Sequence, residues 1–261
     1  APTGVRRANS VLSRESRRMS VRCSPRERKP RTTLLVLCAG CLSLTKSGTL
    51  VEFTFHQALF GYDGGHQMLT ASLPLTTEAR HFLAVATDLS GSAPHKGFDQ
   101  SYTGVTVPGT NFYALFCTWL AREMPRPGCV WSHVLLIDLA DIAELQDLGA
   151  LRSLFQTPPR LTPKLEDFSH PLRFADTHES SLILLTSGER LAPKLLAALY
   201  GEAEKSVVVP AADATVYEKL VFALWSQQWP RLRRNFRFST GSFADRGRGG
   251  QAFDVQVTPM A

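Results

Sequence analysis

The sequence predicts an α+β protein with a mixed, largely antiparallel sheet and helices packed against it. Apolar residues recur with the two-residue period of half-buried strands in some stretches and with helical spacing in others. The two kinds of stretch lack the regular strand–helix–strand order of a parallel sheet, which favours α+β over α/β. The 261 residues, 44% of them hydrophobic, are enough for a sizeable core. We expect this core in one domain, residues 51–261, preceded by a disordered basic segment, residues 1–50.

The domain is predicted to open with a β-hairpin. Apolar and polar residues alternate over 51–59, which is typical of a strand with one buried face. The segment Gly61–Gly65 has the composition of a turn, and His66–Ser72 is suited to return as the partner strand.

A helix and two long strands are predicted next. The helix begins at Thr76 or Thr77 and ends near Leu89. Its inner stripe is predicted to consist of Phe82, Val85, Ala86 and Leu89. Residues 91–110 are rich in Gly, Ser, Pro and Thr and are predicted to be mainly loop. The elements expected after them are strands at 111–120 and 129–138 and a helix at 138–155.

The rest of the chain is predicted to alternate strands and helices once more. The strands are expected at 181–186, 206–210, 231–240 and 253–258, and the helices at 189–200 and 213–229. Within the last helix, Thr215 and Glu218 have the spacing of a capping box.

The basic charge of the chain is confined to its first fifty residues. Residues 1–50 contain eleven Lys and Arg against two Asp and Glu, a balance of +9. Residues 51–261 contain eighteen Lys and Arg against twenty-one Asp and Glu, a balance of −3. The domain therefore has no overall attraction to polyanions, and we do not expect it to bind nucleic acid.

Three interpretations of residues 1–50 stay open. The segment is an upstream extension of a protein that natively starts near residue 50, a secretory signal, or a functional basic arm. The apolar run 34–44 follows basic residues from 26 onward, and Cys41 lies where an exported lipoprotein would be lipidated. This run is too short to span a bilayer as a helix. We expect the extension, no membrane association and a cytoplasmic protein, with the exported lipoprotein through residues 26–41 as the alternative.

The cysteine content favours a reducing compartment. Five Cys residues with irregular spacing do not form a disulfide framework. The sequence lacks a P-loop, a dinucleotide-binding fingerprint, an HExxH motif and a GxSxG motif. The hairpin is expected to bring His56 and His66 within reach of each other. Together with Asp63 or Cys117 they could bind zinc, but the spacing of these residues in the sequence matches no zinc-binding signature. We therefore predict neither a metal nor a cofactor.

Two short blocks contain most of the candidate functional residues. Residues 56–67 and 126–133 each combine His or Cys with an aromatic residue and glycine. Alternation along a strand places Cys129, Trp131 and His133 on one face. Ordinary core packing of these side chains is the alternative. The candidate partner- or ligand-binding residues in the blocks are His56, Tyr62, Asp63, His66, Trp131 and His133.

An enzymatic alternative is a hydrolase that uses Cys129 or Cys117 with His66 or His133. Four residues along a strand separate Cys129 from His133 by about 13 Å, so these two cannot form a thiolate–imidazolium pair by themselves.

A basic ridge is the third candidate feature. Residues 231–248 contain six Arg and one acidic residue. We predict most of them on a strand, with Arg233, Arg237 and Arg246 as candidate contacts for a phosphate or an acidic partner. An edge strand kept soluble by its charge is the alternative.

The two blocks and a C-terminal motif together resemble one bacterial family. The residues that carry the resemblance are His56-Gln57, Gly61-Tyr62-Asp63, Gly65-His66, Leu69, Ser72, Asp88, Thr118-Trp119, Arg126–His133, Phe155, Phe238-Ser239-Thr240, Ser242, Arg246, Phe253-Asp254, Gln256 and Pro259. From about residue 51 to its end, the chain is similar to the N-terminal domain of GTPase-associated proteins of bacterial NTP-dependent conflict systems. It departs from the family pattern at Ser132 and Ser239, where Thr and Cys are expected.

The resemblance implies a module encoded beside a GTPase and other components of an anti-phage defence system. It implies a recognition or adaptor domain that binds a partner protein or ligand, and it implies no catalytic residue. Such a domain normally precedes further domains, so we expect the chain to be a fragment of a longer protein.

Overall fold

The structure is a computed structural model that describes residues 51–88, 97–124, 128–156, 164–176, 191–201, 206–242 and 253–260. Its strands are β1 Val51–Tyr62, β2 His66–Ala71, β3 Gln100–Thr106, β4 Phe112–Leu120, β5 Val130–Asp138, β6 Leu172–Asp176, β7 Val207–Ala211, β8 Phe238–Ser239 and β9 Val255–Pro259. Its helices are α1 Thr77–Thr87, α2 Leu139–Glu144, α3 Leu191–Gly201, α4 Thr215–Gln227 and α5 Pro230–Asn235, with 3-10 helices at Leu148–Leu154 and Leu165–Phe168. The predicted strand at 181–186 and the candidate Arg246 lie outside the described residues.

Among the described residues, nine strands form one mixed sheet, which confirms the predicted fold class. The order is β2-β1-β5-β4-β3-β8-β9-β7, and β6 pairs with the first half of β1. Every strand pair among β1, β2, β3, β4, β5 and β6 is antiparallel, and so is the β3–β8 pair. Strand β9 runs parallel to both β7 and β8. The central strands β5 and β4 are buried almost throughout because both sheet faces are covered.

Each face of the sheet has its own apolar cluster. Phe222 and Trp225 of α4 pack among Tyr113, Leu135 and their neighbours on one face. On the other face, α1 packs against residues such as Phe116 and Val134 of the central strands. The side chain of an odd-numbered β5 residue therefore lies on the α4 side of the sheet, and that of an even-numbered residue on the α1 side.

The inner stripe predicted for α1 is wrong in part: Phe82 and Ala86 do pack against the apolar cluster on this face, and Leu89 lies outside the described residues. The buried residues are Ala79, Leu83 and Thr87, while Val85 is exposed. Hydrophobicity alone does not select Ala79 and Thr87, yet these two residues share with Leu83 the row of the helix that meets the sheet. The Thr87 hydroxyl tolerates burial because it donates to the carbonyl of Leu83 at 2.8 Å.

Part of the predicted 91–110 loop is strand β3. Its Gly and Thr content resembles a loop, but Gly104 allows close packing within the sheet. A Cβ atom at Gly104 would lie 2.3 Å from the Tyr113 hydroxyl and 2.6 Å from the ring of Phe238. A small residue is therefore required where aromatic side chains from two neighbouring strands converge.

The predicted strand at 231–240 and helix at 138–155 are also wrong in part. Residues Pro230–Asn235 form α5, because Pro230 favours a first helical turn and the chain continues as the short β8. The 138–155 segment is divided into α2 and a 3-10 helix. The capping box predicted at Thr215 is absent: Asp213 accepts the Thr215 backbone N–H at 2.8 Å instead.

Candidate binding site

The end of the β1–β2 hairpin is narrow and well supported. Strand β1 continues through Gly61 and Tyr62, so the turn is shorter than predicted and consists of Asp63, Gly64 and Gly65. Gly64 adopts a φ of 68°, a conformation that favours glycine. The Asp63 N–H donates to the Gly65 carbonyl at 3.0 Å. Asp63 and Gly64 are exposed, so this turn is presented to solvent.

The indole of Trp131 supports the hairpin from β5. It is 3% exposed, and its Nε1–H donates to Glu123 Oε1 at 2.6 Å. A Cβ atom at Gly61 would lie 2.3 Å from the ring carbon Cζ3, so the indole packs directly on this glycine. Trp131 therefore acts by positioning the hairpin, since its side chain is not accessible to a partner.

His66 connects the hairpin to α1. Its Nε2 lies 2.8 Å from Thr87 Oγ1, and its ring stacks on Phe60 at 6.3 Å between centroids. Because Thr87 donates its own proton to Leu83, it accepts the N–H of His66. Burial lowers the pKa of His66, while Asp88 opposes this effect. At neutral pH the half-buried imidazole is thus a hydrogen-bond donor that ties β2 to the end of α1.

His56 belongs to a different part of the hairpin. Its Nδ1 lies 3.2 Å from Ser72 Oγ, which also accepts the N–H of Gln57 at 2.9 Å. His66 pairs with Tyr62, six residues along β1 from His56, which corresponds to about 20 Å. The expectation that the hairpin brings the two histidines together is therefore wrong. Within the described residues, no group of three or more His, Cys, Asp or Glu side chains is placed to hold a metal ion.

His133 is sealed between the sheet and two loops. Its Nδ1 accepts the N–H of Gln156 at 3.1 Å, so the proton is on Nε2, which donates to Gln57 Oε1 at 2.8 Å. Gln57 Nε2 in turn donates to the carbonyls of Asp167 and His170 at 3.0 and 2.6 Å. This network joins two strands to the segments at 156 and 167–170. His133 therefore fixes loops and offers no surface to a partner.

The environment of His133 favours the neutral ring. The side chain is 0% exposed, and the edges of Phe155 and Phe168 meet it at centroid distances of 5.4 and 4.9 Å. Burial lowers the pKa of His133 to about 3. Protonation would also place an N–H against the Gln156 N–H, because Nδ1 would lose its acceptor character.

The cysteine environments do not resemble those of a nucleophile. Cys117 lies directly opposite His133 in the β4–β5 register, and both are fully buried. Burial raises the pKa of the Cys117 thiol well above its usual value, with Glu218 adding to the rise. A neutral thiol beside a neutral imidazole is the reverse of the charged pair that thiol catalysis requires. Cys129 is buried in the cluster around Trp131. Nothing in the described residues thus favours the hydrolase alternative.

The four described arginines of the basic ridge differ in their surroundings. Arg233 is half-buried and donates to the carbonyls of Gln228 at 2.8 Å, Leu145 at 2.5 Å and Ser226. Its guanidinium therefore caps the end of α4, where backbone carbonyls lack helical partners. Arg237 is held at β8 by Asp254, whose carboxylate accepts the Arg237 N–H at 2.7 Å. The prediction that Arg233 and Arg237 lie on a strand is wrong, because residues Pro230–Asn235 are helical and β8 begins at Phe238. Among the described arginines of this segment, Arg231 and Arg234 are the exposed ones.

A stability comparison tests the role of Arg233. We expect Arg233→Ala to lower the free energy of unfolding by about 2 kcal/mol, because it leaves the carbonyls at the end of α4 without donors. Urea unfolding monitored by circular dichroism measures the change. Arg231→Ala, two positions away on the same helix but exposed, is the control and should stay within about 0.5 kcal/mol. Equal effects of the two substitutions would contradict the capping role.

Sequence reasoning named several buried polar residues as part of the family resemblance but assigned them no structural role. Ser132 Oγ lies 2.7 Å from Thr118 Oγ1 and 3.2 Å from the Thr87 carbonyl. Thr103 Oγ1 donates to Ser239 Oγ at 3.2 Å, so both positions that depart from the family pattern still form hydrogen bonds. The sequence signal for such a residue is a polar side chain at a strand position whose neighbours on the same face are apolar. Other buried polar residues in and beside the strands include Gln57, Ser101, Thr240, Ser242 and Gln256.

Fold and site together define an α+β domain in which buried polar and aromatic residues hold a β-hairpin and its adjoining loops. Residues 54–155 match the family model of GTPase-associated protein 1, N-terminal domain type 1. The match confirms the predicted resemblance over residues 54–155, where the chain is similar to this GTPase-associated domain. It includes both sequence blocks and ends before the arginine-rich segment. Neither the curated proteins nor the solved structures contain a significant match to the chain. No helix among the described residues has both the length and the apolar composition needed to cross a bilayer.

Proposed function

We propose that the domain is a recognition or adaptor module of a bacterial GTPase-linked conflict system, and that it binds a partner protein rather than catalysing a reaction. The family match supports a link to a GTPase. The observation that carries the proposal is the way in which the matched segment presents its hairpin. Trp131 lies under Gly61, His66 is bonded to Thr87, and Asp63 is left exposed at the tip.

A supported turn of this kind suits recognition. Association is opposed by the loss of conformational freedom at an interface, and a hairpin that is already held in one conformation loses less. Gln67 Nε2 donates to the Asp63 carbonyl at 2.5 Å, which adds a further constraint at the tip. The exposed Asp63 carboxylate, beside the half-buried Tyr62 and His66, then offers a charged group with an aromatic border. We infer that it meets a basic part of the partner.

The partner that the proposal names is the GTPase encoded beside this protein. We place the complex in the cytoplasm and in anti-phage defence, because the family resemblance implies that setting and the cysteine usage suits a reducing compartment. The proposal includes neither a membrane nor a nucleic acid as a partner, because residues 51–261 have a net charge of −3 and so no overall attraction to an anionic surface.

Co-purification with the neighbouring GTPase tests this function. We expect the chain to be retained by the immobilised GTPase, and Asp63→Arg to weaken binding by about tenfold or more, since like charges would then face each other. Glu78→Arg is the matched control, because Glu78 is also an exposed acid, placed in the first turn of α1. No retention of the unaltered chain would refute the adaptor role. Equal binding by the two variants would remove the hairpin tip from the interface.

A further inference from the structure

One exposed aromatic residue stands apart from the rest of the described surface. Trp229 is 79% exposed, although tryptophan is usually well buried. It immediately precedes α5, and Leu232, three residues later, is 44% exposed. Tyr200 at the end of α3 is 51% exposed and joined to the same region, because Gln228 Nε2 donates to its hydroxyl at 3.1 Å. These residues form an apolar and aromatic surface of the kind that marks interaction sites.

The backbone beneath this surface is firmly held. The Leu232 and Arg233 N–H groups donate to the Trp229 carbonyl at 2.8 and 3.0 Å, and Trp225 Nε1 donates to the Arg233 carbonyl at 3.0 Å. The three carbonyl contacts of the Arg233 guanidinium then anchor α5 to α4 and to Leu145. These contacts fix the backbone of α5. Its outer side chains are left exposed to solvent.

Two free cations border the apolar residues. Arg231 and Arg234 are exposed and three residues apart, so they share a side of α5. In the part of the chain that the structure describes, the ion pairs are Arg122–Asp99 and Arg173–Glu52, and neither includes these two arginines. Their charges are therefore available to a partner. Trp and Arg are also the residue types that most often dominate binding energy at protein interfaces.

An unpartnered buried acceptor lies next to Trp229 in the chain. Gln228 is 7% exposed, and its Oε1 makes no hydrogen bond. A buried acceptor without a donor is unfavourable and uncommon in native proteins. Because this oxygen is itself buried, it is a local cost within the segment before Trp229 and not a contact point for a partner.

We propose that the surface formed by Tyr200, Trp229, Arg231, Leu232 and Arg234 docks an acidic segment of a partner protein. Apolar side chains of the segment pack on Trp229 and Leu232, and its carboxylates lie against the two arginines. A lipid surface fits less well, because one Trp and one Leu give little apolar area to insert and the domain as a whole carries a balance of −3. The proposal uses no hairpin residue and does not depend on the identity of the GTPase.

Fluorescence anisotropy with three labelled peptides of about twelve residues tests the docking surface. All three carry the same Leu and Phe anchors, flanked by Glu in one, by Gln in the second and by Lys in the third. We expect the chain to bind the Glu peptide about tenfold more tightly than the Gln peptide and to bind the Lys peptide most weakly. Trp229→Ala should weaken binding of the Glu peptide by about tenfold or more.

Charge reversal gives the sharper test. Arg231→Glu combined with Arg234→Glu should invert the preference, so that the Lys peptide binds best. The control combines Arg80→Glu with Lys219→Glu, which reverses two exposed cations on other helices and should leave the preference unchanged. Val216→Ser is the control for Trp229→Ala, because Val216 is also an exposed apolar residue.

Three results would overturn the proposal. They are an affinity that does not depend on peptide charge, an unchanged affinity in Trp229→Ala, and sedimentation with anionic phospholipid vesicles that requires Trp229 while no peptide binds. The last result would assign the surface to a lipid bilayer. None of them bears on the hairpin and its GTPase, which the co-purification experiment tests separately.

Discussion

Replacing Gly61 by alanine is expected to lower the free energy of unfolding by about 3 kcal/mol. The added Cβ atom would lie 2.3 Å from Trp131 Cζ3 and 2.5 Å from Cε3, well inside van der Waals contact. The indole cannot easily move, because its Nε1–H is bonded to Glu123 and its ring is buried in a cluster with Leu59 and Phe168. The substitution therefore has to displace either the β1 backbone or the ring.

The same hairpin supplies controls for this prediction. At Gly65 an added Cβ meets nothing within 4 Å, so Gly65→Ala should change stability by less than about 0.5 kcal/mol. Gly64 is equally open but has a positive φ, so Gly64→Ala should cost about 1 kcal/mol. Urea unfolding followed by tryptophan fluorescence gives all three values. If Gly61→Ala and Gly65→Ala were equally stable, Trp131 would not be the element that supports the hairpin.

The unaltered protein is expected to lose its stability advantage over His133→Gln as the pH falls from 7 to 4. Burial lowers the pKa of His133 to about 3 in the folded state, whereas the unfolded chain has an ordinary histidine pKa of about 6.5. Between these two values the unfolded state binds the proton first. The contribution of the neutral imidazole to the free energy of unfolding is therefore complete above pH 6.5. Below that value it decreases by about 1.4 kcal/mol for each pH unit, so about 3 kcal/mol is lost by pH 4.

Glu218 provides an internal control with the opposite sign. Burial raises the pKa of this carboxyl to about 7, with Arg152 opposing and Asp213 adding to the rise. Its folded state holds the proton more tightly than the unfolded state between pH 4.5 and 7, so its contribution to stability grows as the pH falls through that window. The stability difference between the unaltered protein and Glu218→Gln should therefore change with pH in the direction opposite to that for His133→Gln.

Denaturant unfolding at a series of pH values, with both variants and the unaltered chain, measures the two contributions separately. Groups shared by all three proteins cancel in the differences. A difference for His133→Gln that is constant between pH 7 and pH 4 would show that the imidazole is not held neutral by the network with Gln57 and Gln156. It would also reopen the possibility of a charged His133 opposite Cys117.

Local patterns predicted the strands best where one face was apolar and the other polar. Strand β1 was predicted from residue 51, because alternation reports which side of a strand is buried. Strand β3 was missed because Gly104 and its Thr neighbours have the composition of a loop. The reason for that composition lies in Tyr113 and Phe238, which converge on Gly104 from other strands.

The arginine-rich segment shows the opposite failure. In residues 231–238 charged and apolar residues alternate closely enough to suggest a strand, but Pro230–Asn235 is a short helix. Pro230 favours the first helical turn locally, and contacts that are remote in the sequence hold the helix in place: Arg233 reaches the Leu145 carbonyl, and Thr106 donates to the Arg234 carbonyl at 2.8 Å. A window of neighbouring residues does not contain those remote contacts.

The sequence by itself determined the fold class, the hairpin and the resemblance to a family of GTPase-associated proteins, because periodicity, turn composition and motif spacing are local properties. Only the tertiary structure decided which motif residues are accessible. His133 and Trp131 are covered by loops and by the hairpin, while Asp63 and Trp229 are left in solvent. The physical reason is that a repeating pattern specifies the side of a strand or helix on which a residue lies, whereas burial depends on which distant segment packs over that side.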